Sequence, residues 1–214
     1  MSAAAEPLTF AWRDGEVSGE RTTPDGDPRA TFILAHGAGA ALNHPTLVAI
    51  AEGLAAEGID VVRFNFPYRE AGKKAPDPQE KLEACYWAVA KQISEGTDKL
   101  YLGGGSMGGR IATHIVADGF PAAGLILQSY PLHPPGKPER MRDAHLERIG
   151  VPMLFLWGTK DPFGTADLMK ATMAKLPTAT LHPIEGGDHS LKVRGRTMAD
   201  VYTEIVHTIA AWIT

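Results

Sequence analysis

The sequence has little of what marks disulfide-rich, membrane-spanning or nucleic-acid-binding proteins. It contains one cysteine, Cys85, which excludes an intramolecular disulfide and a cysteine cluster for zinc. No apolar segment approaches the length of a membrane span. The formal net charge is −4 and the longest run of like charge is Lys73-Lys74, so nothing indicates a partner such as nucleic acid or an anionic membrane.

The composition that remains is that of a globular protein. Of the 214 residues 44% are hydrophobic and 21% are charged, which is enough for a sizeable core, and we expect one domain over residues 1–214. The segment 1–7 lacks the basic start and apolar centre of a secretory leader, and a lone thiol fits a reducing compartment. We therefore expect a cytoplasmic protein. The acidic residues show no metal-ligand grouping, and we expect no metal and no other cofactor.

Hydrophobic periodicity predicts strands that alternate with helices. Asp14-Gly15, a dipeptide favoured in tight turns, separates two strand-like segments and predicts an antiparallel hairpin at the start of the chain. Strands are then predicted at 31–35, 59–64, 99–102, 124–128, 153–157 and 180–184, and helices at 47–54, 79–93, 110–118, 166–176 and 198–212. This alternation is typical of an α/β protein whose mainly parallel sheet carries helices on both faces.

A glycine-rich turn with one serine lies between a predicted strand and a predicted helix. In Gly104-x-Ser106-x-Gly108 such a sharp turn would hold the serine in a strained backbone conformation, with no room for side chains two positions to either side. The strain lifts the hydroxyl clear of the sheet at the positive end of the helix, where developing negative charge is favoured. Ser106 is therefore the candidate nucleophile.

Two other interpretations of this turn stay open. Gly103, Gly105 and Gly108 also match the dinucleotide fingerprint G-x-G-x-x-G, which likewise follows a strand and opens a helix. A nucleotide fold would place that fingerprint near the first strand and an acid after the next one, whereas here earlier strands precede it and segment 124–128 contains no acid. The serine could also be incidental to a tight glycine turn.

A base and an acid for the serine lie at later strand ends. A serine hydroxyl needs a base to accept its proton and a third group to orient that base. His189 follows Gly186-Gly187 after the last strand, and Asp161 lies on a loop after the preceding strand. Functional residues of an open parallel sheet collect at the carboxyl ends of its strands. The order Ser106, Asp161, His189 is the one expected for a serine on such a turn.

Two residues compete with these candidates. His36 competes as the base, but it directly precedes a glycine loop that is needed for another role. Asp188 competes as the acid because it neighbours His189, yet adjacent side chains usually diverge. An aspartate at the position of Asp161 could also be a turn or cap residue.

The remaining candidate site residues surround the serine. Acyl transfer needs backbone donors for the oxyanion, which map to Met107, after the serine, and to Ala38 in His36-Gly37-Ala38-Gly39. Asn65 and Tyr68 leave a strand end and could line the substrate pocket or form a structural loop. Arg110 could bind an anionic substrate or pair with a neighbouring carboxylate.

The motifs together resemble those of small α/β-hydrolases of the dienelactone-hydrolase-like bacterial group. The resemblance runs from about residue 30 to the C-terminus, and it is strongest to relatives of a testis-expressed eukaryotic protein and of subunit 3 of the NSL histone-acetyltransferase complex. It is carried by His36-Gly37-Ala38-Gly39-Ala40, Arg63-Phe64-Asn65-Phe66-Pro67-Tyr68, Gly104-Gly105-Ser106-Met107-Gly108-Gly109-Arg110, Gly158-Thr159-Lys160-Asp161-Pro162 and Gly186-Gly187-Asp188-His189-Ser190. Dienelactone hydrolases proper have cysteine where this chain has serine, so their substrate is not implied.

The resemblance implies an α/β-hydrolase fold and a serine hydrolase that cleaves carboxylic esters or thioesters of small molecules. The relative in a protein complex implies an alternative, a non-catalytic interaction module that retains the fold. About twenty residues, 129–150, separate two predicted strands at the place where many such enzymes insert a cap. We therefore expect an open site without a large cap domain.

Overall fold

The protein is built on one mixed sheet of eight strands. The computed structural model describes residues 5–13 and 15–213. Residues 1–4, Thr214 and Asp14 of the predicted Asp14-Gly15 turn lie outside the described residues. The strands are β1 Ala5–Trp12, β2 Gly15–Thr22, β3 Ala30–Ala35, β4 Ile59–Phe64, β5 Leu100–Gly105, β6 Gly124–Gln128, β7 Met153–Gly158 and β8 Ala179–Ile184.

The order of strands across the sheet is β1-β2-β4-β3-β5-β6-β7-β8. Strands β1 and β2 form the predicted antiparallel hairpin, and β2 pairs antiparallel with β4. The other six strands, in the order β4, β3, β5, β6, β7 and β8, run parallel to one another. The carboxyl ends of these six strands therefore lie along one edge of the sheet.

Helices cover both faces of the sheet, as the alternation predicts. They are α1 Pro45–Ala56, α2 Pro67–Glu70, α3 Gln79–Ser94, α4 Met107–Ala117, α5 Ala166–Met173 and α6 Met198–Trp212, with a 3₁₀ turn at Leu146–Arg148. Successive residues of β3 belong to two different hydrophobic clusters. Phe32 and Leu34 share a cluster with residues of α1 and α6, and Ile33 shares the other cluster with residues of α3 and α4. Burial on both faces explains why the central strands are continuous apolar runs rather than alternating ones.

Besides shifts of a few residues at helix ends, two differences from the sequence prediction lie near the site. Strand β5 runs through Gly103-Gly104-Gly105, beyond the predicted end at 102, because β3 and β6 pair with these glycines on both sides. Glycine is poor in strands by propensity, so here tertiary pairing overrides it. The single turn α2 was not predicted; it starts at Pro67, whose fixed φ suits a first helical position.

The connection between β6 and β7 is a loop with one short helical turn, which agrees with the predicted absence of a large cap. Residues 129–150 contain only the 3₁₀ turn among regular elements, and no large cap covers the carboxyl edge of the sheet in the part of the chain that the structure describes. Across residues 5–13 and 15–213, no helix combines the length and apolar character needed to cross a membrane.

Candidate active site

Ser106 lies on a sharp turn between β5 and α4. Its φ of 49° and ψ of −108° fall in a region that side-chain-bearing residues rarely adopt. Its backbone N–H donates to the Gln128 carbonyl oxygen at 2.8 Å, which ties the turn to β6. A Cβ atom on Gly104 or on Gly108 would overlap the carbonyl group of Ala35, so the glycines two positions to either side are sterically required.

The structure brings Ser106, His189 and Asp161 together at the carboxyl edge of the sheet. Ser106 Oγ lies 3.0 Å from His189 Nε2, although 83 residues separate the two in the chain. His189 Nδ1 lies 2.8 Å from Asp161 Oδ2. The three side chains form one continuous chain of hydrogen bonds.

The direction of these two hydrogen bonds follows from the buried carboxylate of Asp161. Asp161 Oδ2 can only accept, so His189 Nδ1 carries the proton that it donates to Asp161. The other nitrogen, Nε2, is then free to accept the proton of the Ser106 hydroxyl. Asp161 is itself held by its second oxygen, which accepts from the Phe163 N–H at 2.8 Å, and the Phe163 ring packs edge-on against the imidazole with centroids 4.6 Å apart.

Asp188, the rival acid, has a different position. Its Oδ1 accepts from the backbone N–H groups of Ser190, at 2.8 Å, and Lys192, at 3.0 Å. The carboxylate thereby shapes the turn that follows His189 and does not contact the imidazole. As expected for adjacent residues, the two side chains diverge.

His36, the rival base, is fully buried beneath the loop that follows β3. Its Nδ1–H donates to the Gly37 carbonyl oxygen at 2.8 Å, and its Nε2 accepts from the Phe66 N–H at 3.1 Å. Burial lowers the pKa of His36 to about 4, so the ring stays neutral at pH 7 and keeps this pairing. The bonded Gly37 carbonyl belongs to the same peptide unit as the N–H of Ala38.

Three side chains from the β4 end hold the same loop. The Tyr68 hydroxyl donates to the Ala38 carbonyl oxygen at 2.8 Å, and burial raises the pKa of Tyr68 to about 12. Asn65 Oδ1 accepts from the Leu42 N–H at 2.9 Å, and Arg63 Nη1 donates to the Leu42 carbonyl oxygen at 2.6 Å. Asn65 and Tyr68 thus contact the loop, and a contact of either with substrate stays a prediction.

Ala38 and Met107 flank the serine hydroxyl. Both residues line one cavity of about 290 Å³ together with Ser106 and His189. Met107 is the first residue of α4, where N–H groups have no partner within the helix. A developing oxyanion needs backbone donors that converge on one point, and Ala38 and Met107 stay the predicted donors.

A second cavity, of about 440 Å³, opens on the other side of Ser106. Gly39, Thr46, Gln128 and Leu191 line it, and the side-chain amide nitrogen of Gln128 is buried there without a partner among the described residues. Ser106, Ala38 and His189 therefore line both cavities. Neither Gln128 nor Phe163 carries a motif that would have singled it out in the sequence.

Arg110 lies in the 290 Å³ cavity and has no carboxylate partner. Its Nη1 donates to Gln79 Oε1 at 2.6 Å, and within the described residues no acid lies within 4 Å of its guanidinium. Arg142, which the sequence analysis did not select, lines the same cavity. Among the described residues no group of three or more histidines, cysteines or acids could hold a metal ion.

Comparison with known structures agrees with this architecture. The chain is similar to an alpha-beta serine hydrolase homologue from Coxiella burnetii, with 21% identity, a TM-score of 0.79, and coverage of 95% of this chain and 97% of that one. It is similar to XC6422 from Xanthomonas campestris, described as an a/b serine hydrolase without lid, with 20% identity, a TM-score of 0.75, and coverage of 99% and 96%.

A dienelactone hydrolase from Anabaena variabilis is similar as well, with 14% identity, a TM-score of 0.78, and coverage of 99% of this chain and 97% of that one. At such identities these likenesses show the fold alone. A family model described as an alpha/beta hydrolase domain matches residues 28–214, most of the chain. The protein therefore belongs to the alpha/beta hydrolase domain family.

Proposed function

We propose that the protein is a serine hydrolase that cleaves carboxylic esters or thioesters of small molecules, with one catalytic domain. The observation that carries the proposal is the hydrogen-bond chain from Ser106 through His189 to Asp161, with distances of 3.0 and 2.8 Å. Such a chain activates a hydroxyl that is otherwise a poor nucleophile at neutral pH. The family and the hydrolases among the similar structures support a hydrolase, and the substrate class is our inference.

The reaction begins with attack of Ser106 Oγ on the substrate carbonyl carbon while His189 Nε2 takes the hydroxyl proton. The Ala38 and Met107 N–H groups stabilise the oxyanion that forms. The tetrahedral intermediate collapses, the bond to the leaving group breaks, and His189 returns its proton to that alcohol or thiol. Asp161 holds the imidazole in the required tautomer and stabilises the imidazolium.

Water completes the cycle. His189 removes a proton from the water that attacks the Ser106 acyl ester, and a second oxyanion forms between Ala38 and Met107. Its collapse releases the carboxylic acid and returns the proton to Ser106 Oγ. The two cavities that Ser106 lines admit that water without movement of a cap.

Labelling with a fluorophosphonate probe tests this function. We expect the wild type to be labelled and to hydrolyse short-chain esters, and Ser106→Ala to lose both properties. Ser190→Ala is the matched control, because Ser190 lines the neighbouring cavity without a hydrogen bond to His189 in the described structure. Absence of labelling in the wild type, or equal labelling of Ser106→Ala, would refute the proposal.

The same experiment separates an enzyme from a non-catalytic module that keeps the fold. The motifs place the chain, in our proposal, with the dienelactone-hydrolase-like group that includes relatives of the testis-expressed protein and of the histone-acetyltransferase complex subunit. A folded protein without labelling or turnover would favour the module. The one cysteine, Cys85, is free and buried, which is compatible with the cytoplasmic location that we propose.

A further inference from the structure

Two arginines share the 290 Å³ cavity with the candidate nucleophile. Arg110 lies on α4 four residues after Ser106, and its N–H donates to the Ser106 carbonyl oxygen at 3.1 Å. Both residues line this cavity, although Ser106 itself has non-helical dihedral angles and precedes the helix. Arg142 reaches the cavity from the β6–β7 connection, where its N–H donates to the Leu132 carbonyl oxygen at 2.8 Å.

Neither guanidinium is neutralised within the described structure. Among the described residues, the Arg110 guanidinium contacts Gln79 Oε1 at 2.6 Å and the His114 ring nitrogen at 3.5 Å, both through Nη1. Its Nε and Nη2 hydrogens have no acceptor among those residues. The Arg142 guanidinium has no protein acceptor among the described residues. Each guanidinium offers donors in a planar fork that matches an anion with two oxygens.

Two acids lie near the arginines. Asp77 lines the cavity; its Oδ1 lies 3.7 Å from Lys81 Nζ, and its Oδ2 is buried without a hydrogen-bond partner among the described residues. The lining therefore carries two positive charges and one negative charge. Glu83 is separated from Arg110 by Gln79, whose amide nitrogen donates to the Glu83 carboxylate at 2.7 Å. The cavity thus keeps an excess of positive charge in a protein whose net charge is negative.

The two histidines beside Arg110 carry no charge at neutral pH. His114 and His145 stack with ring centroids 3.7 Å apart, and burial together with neighbouring positive charge lowers their pKa values to about 4 and about 3. Both rings are neutral at pH 7. Burial and the charge of Arg142 lower the pKa of Arg110 as well, so its charged form is destabilised. A bound anion would stabilise that charged form.

The second cavity, of about 440 Å³, differs from the first in the charge of its lining. The residues that line it include no lysine, arginine, aspartate or glutamate. A molecule that spans both cavities across Ser106 would meet positive charge on one side and uncharged surface on the other.

We propose that Arg110 and Arg142 bind an anionic oxygen group, a carboxylate or a phosphate, carried by the substrate a short distance from its scissile carbonyl. The inference rests on the proposed function and specifies its substrate class: a small ester with one anionic end and one uncharged end. Because Arg110 and Arg142 line the same cavity of about 290 Å³ as Ser106, a short spacer joins the anion to the carbonyl carbon. Half-esters of short dicarboxylic acids have this form.

A matched pair of esters tests the inference in the full-length protein. Monomethyl glutarate and dimethyl glutarate differ only in whether the distal group is charged, and released methanol reports hydrolysis of both. We expect the wild type to prefer the monoester in kcat/KM. Arg110→Gln and Arg142→Gln should each lower the monoester-to-diester ratio of kcat/KM by about 10- to 100-fold, chiefly through KM, because each removes a charge-assisted hydrogen bond.

Lys137→Gln is the matched control, since it removes one positive charge outside the 290 Å³ cavity. We expect this variant to keep the wild-type ratio. Arg110→Lys keeps the charge without the planar fork and should fall between the wild type and Arg110→Gln. If Arg110→Gln does not fold, Arg142→Gln together with Arg110→Lys tests the same point.

Protection of Ser106 from an uncharged fluorophosphonate probe gives a second readout that needs no turnover. We expect glutarate or inorganic phosphate to slow labelling of the wild type but not of Arg142→Gln, with glutaramide ineffective. Protection by glutarate alone identifies a carboxylate site, and protection by phosphate alone identifies a phosphate site.

Each way of failing has its own signature. Labelling and diester hydrolysis with no monoester preference and no protection by either anion would overturn this inference and leave the proposed function standing. A loss of the monoester preference in Lys137→Gln as large as in Arg142→Gln would also overturn it. No labelling and no hydrolysis of either ester would refute the proposed function itself.

Discussion

Asp161 Oδ2 lies 2.8 Å from Nδ1 of His189, 28 residues further along the chain. The carboxylate is almost fully buried at the end of β7, and the imidazole follows β8, so the parallel pairing of these strands brings the two side chains together. Gly158 makes this approach possible, since a Cβ there would clash with the carbonyl groups of Gly187 and Asp188. The contact holds His189 in the tautomer that can accept the Ser106 proton.

Asp161→Asn should lower kcat by on the order of 10³- to 10⁴-fold with little loss of stability, because the amide fits the site but no longer selects the required imidazole tautomer. Ester turnover and circular dichroism measure the two effects. Asp188→Asn is the matched control and should stay within about tenfold of wild-type kcat, since Asp188 bonds only backbone N–H groups. Equal losses in the two variants would contradict the assignment of Asp161.

Tyr68→Phe should lower kcat by about 10-fold and the free energy of unfolding by about 1 kcal/mol, the usual net value of one hydrogen bond. The lost bond holds the Ala38 carbonyl, and its removal loosens the loop that presents the Ala38 N–H. Steady-state kinetics and urea denaturation measure both quantities.

Thr208→Val is the control for this prediction because it removes a hydroxyl that donates to the Glu204 carbonyl oxygen at 2.8 Å within α6, outside both cavities that Ser106 lines. We expect a similar change in stability with kcat unchanged. If kcat fell equally in both variants, the loop contact of Tyr68 would not be what matters.

Gly104→Ala should lower the free energy of unfolding by at least about 3 kcal/mol or prevent folding, since its Cβ would overlap Ala35 at a φ of +148°. Gly105→Ala, one residue on, should change stability by no more than about 1 kcal/mol, because a Cβ there meets no atom within 4 Å. Chemical denaturation of both variants compares the two glycines directly. Comparable losses of stability in the two variants would show that the strand propensity of glycine, rather than steric overlap with Ala35, determines the effect of the substitution.

Stability should fall as the pH drops from about 7 towards 4. Burial lowers the pKa of His36 to about 4, below the value near 6.5 expected in the unfolded chain. The unfolded state therefore binds a proton first as the pH falls, and folding loses free energy across that window, on the order of 3 kcal/mol for His36. His114 and His145 are shifted in the same direction and add to the loss.

His145→Gln should make this dependence shallower, because it removes a group whose pKa is lowered by burial. Denaturation at pH 7, 5.5 and 4.5 measures the slope. An unchanged slope in His145→Gln would mean that the stacked histidine pair does not contribute to the acid sensitivity.

Local patterns were sufficient for most elements and for the turn at Ser106, but not for α2 or for the glycine end of β5. The hairpin, the parallel strands and the helices over both faces follow from periodicity and turn residues. Both signals arise from residues that are close together in the sequence. Gly104 and Gly108 mark the turn because no other residue fits there. Asn65 and Tyr68 show the limit of such reasoning: their place at a strand end was clear, but whether they face substrate or loop depended on packing.

The sequence by itself determined the α/β class, the glycine turn that exposes Ser106, and the order in which a serine, an acid and a histidine follow three strands. Only the tertiary structure decided that Asp161 rather than Asp188 contacts His189, that His36 lies buried under the loop, and that Arg142 joins Arg110 beside the serine. The reason is physical. Hydrogen-bond periodicity and backbone sterics act between near neighbours in the chain, whereas these contacts arise from strand pairing and loop packing between segments that are distant in sequence.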